Sequence, residues 1–543
     1  MEWLELSSKK IKASLVIIAI GFSLLILTFT SNFGHLKGFS IGEVLSERSP
    51  NVTTNGSVLG TKNFTGSRDS SSLTRNHADK FIDGLLTSGF DEGSCLSRFQ
   101  SYLYSKASPH KPSPYLISKL RNYEVLHKKC GPHTRSYKRT MVMLKRFRTN
   151  VTAKFNYIVW TPANGLGNRM VSMAASFLYA LLTDRVLLVE FQNDMVGLFC
   201  EPFPNSSWIL PKDFPFTKNQ GHFETYQSML KKDMQNHSKE ILPSVLHLNI
   251  QHSKDDPERF FCCDHSQHLL QKVPLLIFVS DQYFVPCLFM VPSFSQELNK
   301  MFPEKDTVFH HLGRYLFLPS NEVWGPISRF YQAYLVNADE RIGLQIRVFN
   351  PDLTPYQTIM NQVLNCTLNH KILPDFTTEG SKVSPWKNQT LKSVLVASLY
   401  PKYGENLRNM YLTRPTVTGE IIGVYQPSHE GQQKFHDNMH NMKAWTEIYL
   451  LSLCDVLVTS SLSTFGYVAQ SLGGLKPWVL YKLQDKNIPD PSCVRDFSME
   501  PCFHVPPKID CMQKPIENIG TLFPYIRRCM DYGLGVKLVN DHQ

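Results

Sequence analysis

Residues 157–191 read YIVWTPANGLGNRMVSMAASFLYALLTDRVLLVEF and give the clearest indication of the fold of this chain. Its first four residues are β-branched and aromatic, which is typical of a buried strand, and a loop containing Gly165 and Gly167 follows directly. The next run has the length and the small, apolar content of a buried helix, and RVLLVEF is a second apolar strand. The spacing predicts a βαβ unit with a glycine loop at the carboxyl end of its first strand.

Similar alternation continues along the chain. Strand-like runs recur at Pro274–Ser280, Arg341–Phe349, Ser393–Ser398, Glu420–Tyr425, Val456–Thr459 and Trp478–Tyr481. Helix-like runs, including Lys443–Leu453, lie between several of them. This pattern predicts an α/β fold with largely parallel sheets, whose ligands bind beyond the carboxyl ends of the strands. We expect a boundary between two lobes near Leu318–Gly325, where Pro319, Gly325 and Pro326 interrupt the pattern.

The composition restricts the class of protein. A chain of 543 residues is too long for one ordinary core, and 12% aromatic with 19% charged residues excludes disorder over the whole length. The formal charge of +11 fits nucleic acid, an anionic membrane surface or a phosphorylated ligand. The basic cluster at Lys138-Arg139 and Lys145–Arg148 is interpreted as a solvated helix face, so no nucleic acid partner is expected.

The N-terminal segment predicts one membrane anchor. The run Ala13–Phe29 carries no charge and three lysines closely precede it, which favours a cytosolic N-terminus and a lumenal remainder. A cleaved signal peptide is the alternative. The stretch at residues 51–73 is rich in Asn, Thr, Gly and Ser and predicts a flexible stem. We assign residues 1–12 to a cytosolic tail, 13–30 to a transmembrane signal-anchor and 31–80 to a lumenal stem.

Cysteines and glycosylation signals agree with a lumenal location. All twelve cysteines lie beyond the apolar run, which fits disulfide formation in an oxidising compartment. Cys493, Cys502 and Cys511 recur every nine residues, and this spacing indicates a stapled irregular tail rather than a metal site. Candidate N-glycosylation sequons begin at Asn51, Asn55, Asn63, Asn150, Asn205, Asn236, Asn365 and Asn388.

The first candidate binding segment is the loop Gly165–Arg169. Two glycines let a ligand approach the backbone closely, and the helix start beyond them offers unpaired N–H groups. Asn168 and Arg169 can both bind phosphate or sugar oxygens. A tight βα turn without a ligand is the alternative. The loop is neither a dinucleotide fingerprint, since a third glycine is missing, nor a phosphate-binding loop with Gly-Lys-Ser/Thr.

The second candidate segment is the strand around Arg347. Gly343, Gln345 and Arg347 share one face of this strand by period-two alternation. A buried arginine is costly unless it is paired, so either a structural carboxylate or a ligand diphosphate is expected to face Arg347.

The third candidate segment follows the strand at Val456–Thr459. It is a hydroxyl-rich turn leading into a helix, and either Ser463 or Thr464 is a natural N-cap. A capping hydroxyl beside free N–H groups also receives phosphate, so simple capping and ligand binding are both open. The chain has no Asp-x-Asp, His-Glu-x-x-His or Gly-x-Ser-x-Gly, and we therefore predict no metal and neither zinc-protease nor serine-hydrolase chemistry.

With these segments in view, the chain closely resembles the plant xyloglucan fucosyltransferase family from about residue 81 to residue 539. The resemblance is carried in order by LLTSGFDEGSCLSRFQSYLY, SPYLISKLRNYE, GLGNRM, FLYALLTDRVLLV, LFCEPFP, SDQYFVPCLFM, IGLQIRVF, EIYLLSL and LVTSSLSTFGYVAQSLGGLKPW. A run of such matches in order is much more specific than any one of them.

The resemblance implies a Golgi type II enzyme with a two-lobed fold of the GT-B kind, built on Rossmann-like parallel sheets. Residues 81–320 would form the N-terminal lobe on the acceptor side, and 321–543 the C-terminal lobe on the GDP-fucose side, ending in a Cys-rich tail. The implied reaction is inverting, metal-independent transfer of L-fucose from GDP-fucose to O2 of a terminal galactose on xyloglucan or arabinogalactan protein. GDP-fucose is then a substrate and no cofactor is implied.

Site residues also follow from the resemblance. For the donor, Arg347 would act on the diphosphate. The other implied GDP-fucose-binding residues are Gly165, Gly167, Asn168, Arg169, Ser463, Thr464 and Phe465. For the acceptor, the implied residues are Asp281, Gln282 and Tyr283. Asp281 would be either the catalytic base or a group that only orients the galactose.

Several alternatives stay open at this point. A protein O-fucosyltransferase-like enzyme can use a similar loop and arginine, and a non-catalytic glycan-binding relative would keep the fold. The acceptor glycan and a homodimeric state are also open. Cys454 stands where the family pattern leads us to expect Thr or Ser. If Cys454 is unpaired, eleven cysteines remain and at least one other is also unpaired.

Overall fold

The computed structural model of the chain describes residues 79–216, 224–235, 242–252, 261–352, 354–377 and 390–540. The predicted cytosolic tail, signal-anchor and nearly all of the stem lie outside these residues. So do the sequons at Asn51, Asn55, Asn63, Asn236 and Asn388. Within the described ranges, no helix combines the length and the apolar character that crossing a membrane requires.

The first sheet contains the predicted βαβ unit. Its strands are β1 (Tyr157–Pro162), β2 (Val186–Val189), β3 (Glu224–Thr225), β4 (Val245–Ile250) and β5 (Leu275–Ser280). All pairs are parallel and the strand order is β2-β1-β5-β4-β3. Residues of β1 alternate between two core clusters, with Ile158 and Trp160 in one and Tyr157 and Val159 in the other. Both faces of this central strand are therefore buried, which explains its continuous apolar sequence.

The second sheet is built on the same plan. Its strands are β6 (Glu340–Ile346), β7 (Leu391–Ser398), β8 (Ile421–Tyr425), β9 (Val456–Ser460), β10 (Trp478–Leu480) and β11 (Cys493–Arg495). The order is β11-β10-β9-β6-β7-β8, and only the β10–β11 pair is antiparallel. A separate antiparallel hairpin, β12 (Ile526–Arg528) and β13 (Val536–Leu538), lies near the C-terminus.

Helices cover both sheets. In chain order they are α1 (Leu96–Gln100), α2 (Pro114–Cys130), α3 (Arg135–Arg146), α4 (Leu166–Leu182), α5 (Tyr226–Gln235), α6 (Asp264–Lys272), α7 (Val285–Phe289), α8 (Ser295–Met301), α9 (Val308–Leu316), α10 (Asn321–Phe330), α11 (Tyr356–Asn369), α12 (Pro401–Thr413), α13 (Asn438–Ser452), α14 (Thr464–Gly473) and α15 (Ile519–Leu522). Lys138, Arg139, Lys145 and Arg146 are exposed on α3, as expected for a solvated helix face.

One core cluster joins the two sheets. It contains residues of α4 and β1 together with Trp445 and Leu451 of α13 and Val468 and Leu472 of α14. Helices α4 and α14 contact each other directly, as do α9 and α14. The helices that connect the strands of one sheet therefore pack against those of the other, and this packing fixes the positions of the loops described below.

Disulfides tie distant segments together. The described bonds are Cys95–Cys200, Cys262–Cys287, Cys263–Cys511, Cys366–Cys493 and Cys502–Cys529. The three cysteines of the nine-residue repeat thus have three different partners. Cys130 and Cys454 are free and buried, which confirms that an unpaired Cys454 leaves a second cysteine unpaired.

The structure differs from the sequence-based expectations for secondary structure in three places. Strand β6 ends at Ile346 and not at Phe349, because the Arg347 N–H donates to the Ser460 Oγ (2.9 Å) instead of a strand carbonyl. Gly325 and Pro326 do not interrupt the secondary structure, since α10 runs through both residues, while the lobe boundary near Leu318–Gly325 stays a prediction. Strand β4 was not predicted, because His and Asn interrupt its apolar sequence VLHLNI.

Candidate active site

A cavity of about 290 Å³ lies between the two sheets. Its walls are the segments that follow the carboxyl ends of β1, β6, β7, β8 and β9, together with one face of α13. Parallel strands of both sheets point their carboxyl ends at this cavity, which is the usual position of a ligand in such folds. Of the residues predicted from sequence, Gly165, Gly167, Asn168, Arg347, Ser463, Thr464 and Phe465 line it.

Arg347 is the unneutralised cation of this cavity. Its Nη2 donates to the Gln433 Oε1 (2.7 Å), and its guanidinium lies 5.4 Å from the centre of the Phe349 ring. Within the described part of the chain, no carboxylate lies within ion-pair distance of Arg347. Partial burial lowers the pKa of Arg347, yet the group stays charged at physiological pH. The cavity therefore holds a positive charge that an anionic ligand would neutralise.

Two neighbouring arginines have the carboxylate partners that Arg347 lacks. Arg341, on β6, is buried and pairs with Asp455 (Nε to Oδ2, 3.3 Å). Arg169 is buried and its Nη1 contacts both oxygens of Asp194 (2.9 and 3.0 Å). Arg169 also donates from Nε to the Asn164 carbonyl (2.8 Å). The structure therefore differs from the prediction for Arg169, which does not line the cavity. Its guanidinium links the backbone of the glycine loop to Asp194.

The start of α14 faces the cavity with free backbone donors. Ser463 occupies the N-cap position, but its side chain does not cap the helix. The first N–H groups of the helix, with their partial positive charge, are therefore available to a ligand. Leu462 before them has a left-handed backbone (φ 59°), and the Asp531 Oδ2 accepts its N–H (2.9 Å). The simple capping role considered for Ser463 is thus not seen.

The glycine loop and the start of α14 touch each other. The Thr464 Oγ1 donates to the Asn168 Oδ1 (2.6 Å). A Cβ atom on Gly167 would lie 2.8 Å from the Thr464 carbonyl carbon and 2.9 Å from the Phe465 nitrogen. A Cβ on Gly165 would meet only the Gln433 Nε2, at 3.0 Å. Gly167 is therefore required by a close backbone approach, whereas Gly165 has a flexible neighbour.

The predicted acceptor residues are buried. Asp281 follows β5 and its side chain has no exposed surface. The Gln282 Nε2 donates to the Asp281 Oδ1 (2.9 Å), and the Tyr283 hydroxyl donates to the Glu500 carboxyl group. Burial raises the pKa of Glu500 to about 8. Asp281, Gln282 and Tyr283 do not line the cavity, and their side chains are hydrogen-bonded within the protein, so their contact with an acceptor stays a prediction.

Other cavity residues were not predicted from the sequence. Phe349 and Phe435 line the cavity and are strongly exposed, at 63% and 62%. Glu430 and Glu447 contribute two carboxyl groups whose pKa values are shifted in opposite directions. Burial raises the pKa of Glu447 to about 8, and hydrogen bonds from Lys443 and Lys434 lower the pKa of Glu430 to about 2. The segment after β8 that supplies several of these residues is polar and carries no recognisable motif.

A metal site is not evident among the described residues. One cluster there has suitable spacing for metal ligation, namely Cys502, Cys529 and Asp531. The two cysteines form a disulfide and Asp531 is engaged with Leu462 and Tyr467, so the cluster offers no thiolate ligand.

The sequence of this chain is similar to those of known proteins. Residues 54–512 match the family described as xyloglucan fucosyltransferase. A galactoside 2-alpha-L-fucosyltransferase of Arabidopsis thaliana is 52% identical over 472 residues, which is 86% of this chain and 84% of the relative. A protein of the same name from Pisum sativum is 51% identical over 468 residues, 85% of this chain and 82% of the relative.

The solved structures include a similar fold. The structure of an arginine-to-lysine mutant of Arabidopsis thaliana FUT1 in complex with GDP has a TM-score of 0.79 and 53% sequence identity. The match covers 85% of this chain and all of the FUT1 chain.

The two glutamates of the cavity predict a measurable pH dependence. The raised pKa of Glu447 means that the folded protein holds a proton that the unfolded chain releases above pH 4.5. Stability is therefore lost from pH 5 to 8, by up to about 1.4 kcal/mol per pH unit. We expect Glu447→Gln to gain stability relative to the wild type over this interval, measured by urea unfolding at pH 5 and pH 8.

Glu430→Gln is the matched control. The lowered pKa of Glu430 contributes stability that is lost as pH falls from about 4.5 toward 2, and Glu430 makes only a minor contribution to the raised pKa of Glu447, so the stability of this variant relative to the wild type should change much less between pH 5 and pH 8 than that of Glu447→Gln. If the free energy of unfolding of Glu447→Gln differs from that of the wild type by the same amount at pH 5 and pH 8, the raised pKa of Glu447 is contradicted.

Proposed function

The chain belongs to the xyloglucan fucosyltransferase family, and we propose on this basis that it transfers L-fucose from GDP-fucose to O2 of a terminal galactose, with inversion. One structural observation supports the proposal most directly. Arg347, without a carboxylate partner in the described residues, and the uncapped start of α14 line the same cavity. Both are positive groups of the kind that bind a diphosphate.

The chemistry of transfer requires such groups. As the bond between fucose C1 and the β-phosphate oxygen breaks, positive charge develops on the sugar ring and negative charge grows on the departing diphosphate. A fixed guanidinium and the N–H groups of Thr464 and Phe465 would stabilise that negative charge. Preorganised donors of this kind typically contribute a few kcal/mol to lowering the barrier. The acceptor hydroxyl then attacks C1 from the opposite face, which gives inversion.

Metal independence is part of the proposal. A divalent ion often neutralises a nucleotide-sugar diphosphate, and the chain lacks the Asp-x-Asp pair that usually binds it. Here Arg347 and the start of α14 would carry that role. The exposed rings of Phe349 and Phe435 provide apolar surfaces at the cavity against which a base or a sugar could stack.

Location and assembly are also proposals. We propose a two-lobed fold of the GT-B kind, divided near residue 320, in a Golgi type II membrane protein anchored by residues 13–30. The support is the apolar run, the preceding lysines and the disulfides of a lumenal domain. Asn150, Asn205 and Asn365 are exposed and accessible to glycosylation. Xyloglucan, arabinogalactan protein or another galactose-ended glycan would be the acceptor, and a homodimer stays open.

The proposed reaction is tested with the full-length chain, labelled GDP-fucose and a panel of galactose-terminated oligosaccharides. We expect label to appear on O2 of the terminal galactose, in the α configuration, with equal rates in EDTA and in buffer containing divalent metal. The linkage and anomer are read by NMR of the product. Transfer from UDP-sugars but not from GDP-fucose, or transfer that EDTA abolishes, would contradict the proposal.

Arg347 should be required for turnover. We expect Arg347→Ala to reduce kcat by about 100-fold or more, because the departing diphosphate loses its guanidinium partner. Arg347→Lys keeps the charge but loses the fork of donors and should give an intermediate rate. Circular dichroism and secretion level report folding. A folded Arg347→Ala variant with wild-type turnover would contradict the assignment.

The two glycines of the loop provide a matched pair. Gly167→Ala places a methyl group against the backbone of Thr464 and Phe465, so the start of α14 must move. We expect its dissociation constant for GDP to rise roughly tenfold, a loss of about 1.4 kcal/mol. Gly165→Ala meets only a side-chain amide and should bind GDP nearly as the wild type does. Calorimetry measures both, and equal effects of the two substitutions would contradict the close approach at Gly167.

A further inference from the structure

Three side chains meet where three neighbouring parallel strands end. Asn164 follows β1, Asp281 follows β5, and His252 follows β4. These strands are adjacent in the first sheet, in the order β1-β5-β4, so their carboxyl ends lie side by side. Asn164 has a left-handed backbone (φ 60°), which Asn tolerates better than most residues, and this conformation accompanies the contact of its amide with Asp281.

The Asp281 carboxylate is saturated with donors. Its Oδ1 accepts the His252 backbone N–H (3.0 Å) and the Gln282 Nε2 (2.9 Å). Its Oδ2 contacts the Asn164 Nδ2 and the His252 Nδ1. The side chain has no exposed surface, and four donors already surround its two oxygens. Asp281 therefore has no accessible lone pair with which to take a proton from an acceptor hydroxyl.

His252 has the opposite character. Its ring is 54% exposed, although its Nδ1 lies against the buried carboxylate. Because a carboxylate accepts hydrogen bonds, the Nδ1–H group of His252 donates to Asp281, and Nε2 is the ring nitrogen that remains for another partner. A carboxylate bound to Nδ1–H fixes the tautomer of a histidine and stabilises its protonated form.

The pair also lies beside the cavity. Asn164 lines the cavity, and its Nδ2 is 3.4 Å from the His252 Nδ1. The neighbouring Gly165 approaches Gln433, which in turn accepts a hydrogen bond from Arg347. A chain of neighbouring residues, Asn164, Gly165 and Gln433, thus leads from His252 to Arg347, the cation proposed to bind the donor diphosphate.

We propose that His252 is the general base of the transferase, with Asp281 as its positioning residue. This inference rests on the proposed function. In the step, the acceptor O2–H proton passes to the His252 Nε2 while the O2–C1 bond forms. The bond from C1 to the β-phosphate oxygen breaks, and its electron pair leaves with GDP. The resulting imidazolium is stabilised by Asp281, and its proton returns to solvent after release of the product.

Other titratable groups act on the pair. His504 is partly buried, and it interacts electrostatically with both Asp281 and His252; burial lowers its pKa, whereas Asp531 and Asp281 raise it. The Tyr467 hydroxyl lies 3.1 Å from the His504 Nε2 and also donates to Asp531. Lys537 lowers the pKa of His504 further and is itself paired with Asp496. Among these groups only Asp281 is in direct contact with the His252 ring, so Asp281 is the charge closest to it.

The test uses the full-length chain and the variants His252→Ala and His252→Gln, with His268→Ala as control. His268 is an exposed histidine on α6 of the same part of the molecule. We expect kcat to fall about 100-fold in both His252 variants, within the range typical of a general base, with the GDP dissociation constant unchanged. Imidazole added to His252→Ala should restore part of the lost rate. His268→Ala should behave as the wild type.

Asp281→Asn provides a second readout that a merely structural role would not change. Removing the carboxylate destabilises the imidazolium, so the acidic limb of the kcat profile should shift to lower pH, and kcat should fall. His252→Ala that keeps wild-type kcat, or that loses it without imidazole rescue, overturns the proposal. Absence of transfer by the wild-type chain in the acceptor assay would instead refute the proposed function itself.

Discussion

The positions of the loops that line the cavity depend on the contact between the starts of α4 and α14. At this point Gly167 lies against the backbone of Thr464 and Phe465, closer than any side chain would allow, and the Thr464 hydroxyl bonds Asn168. The contact brings two helix N-termini, one from each sheet, to the same cavity. The positive ends of both helices and the carboxyl ends of both sets of strands therefore converge on one ligand-sized space.

Charge pairing explains how the same region is both stable and reactive. Arg341 and Arg169 are buried with carboxylates, and their role is structural. The guanidinium group of Arg347 donates to Gln433 and has no carboxylate partner among the described residues, so it keeps an unneutralised charge at the cavity. Beside the cavity, Asp281 is fully enclosed by donors while His252 is exposed. The positive group proposed for the leaving diphosphate and the base proposed for the acceptor are thus on different sides of the glycine loop.

Much of the fold could be predicted because its signals are local. Strands such as β1 and β7 are buried on both faces, and their continuous apolar runs are visible in the sequence. The glycine loop, Arg347 and the Ser463–Phe465 turn were found for a related reason, since each follows a recognisable strand. Strand β4 was missed because polar residues interrupt it, and with it His252 was missed as well.

The remaining errors concern partners that are far apart in sequence. The orientation of Tyr283 depends on Glu500, 217 residues away, and that of Asp281 on Asn164, 117 residues away. The position of Arg169 after the glycine loop suggested ligand binding, but in the structure Arg169 forms an ion pair with Asp194. A sequence shows which residue types are present near a strand end, but the choice between solvent, ligand and buried partner is made by tertiary packing.

We propose that Arg347 recognises the β-phosphate of a guanosine diphosphate in this cavity. Calorimetric titration of GDP and GMP into the wild-type chain and into Arg347→Ala tests this role most directly. We expect the preference for GDP over GMP to fall by roughly 10- to 100-fold in the variant, because a charge-assisted hydrogen bond is lost, while GMP affinity is nearly unchanged. An unchanged preference for GDP in a folded Arg347→Ala variant would contradict the claim.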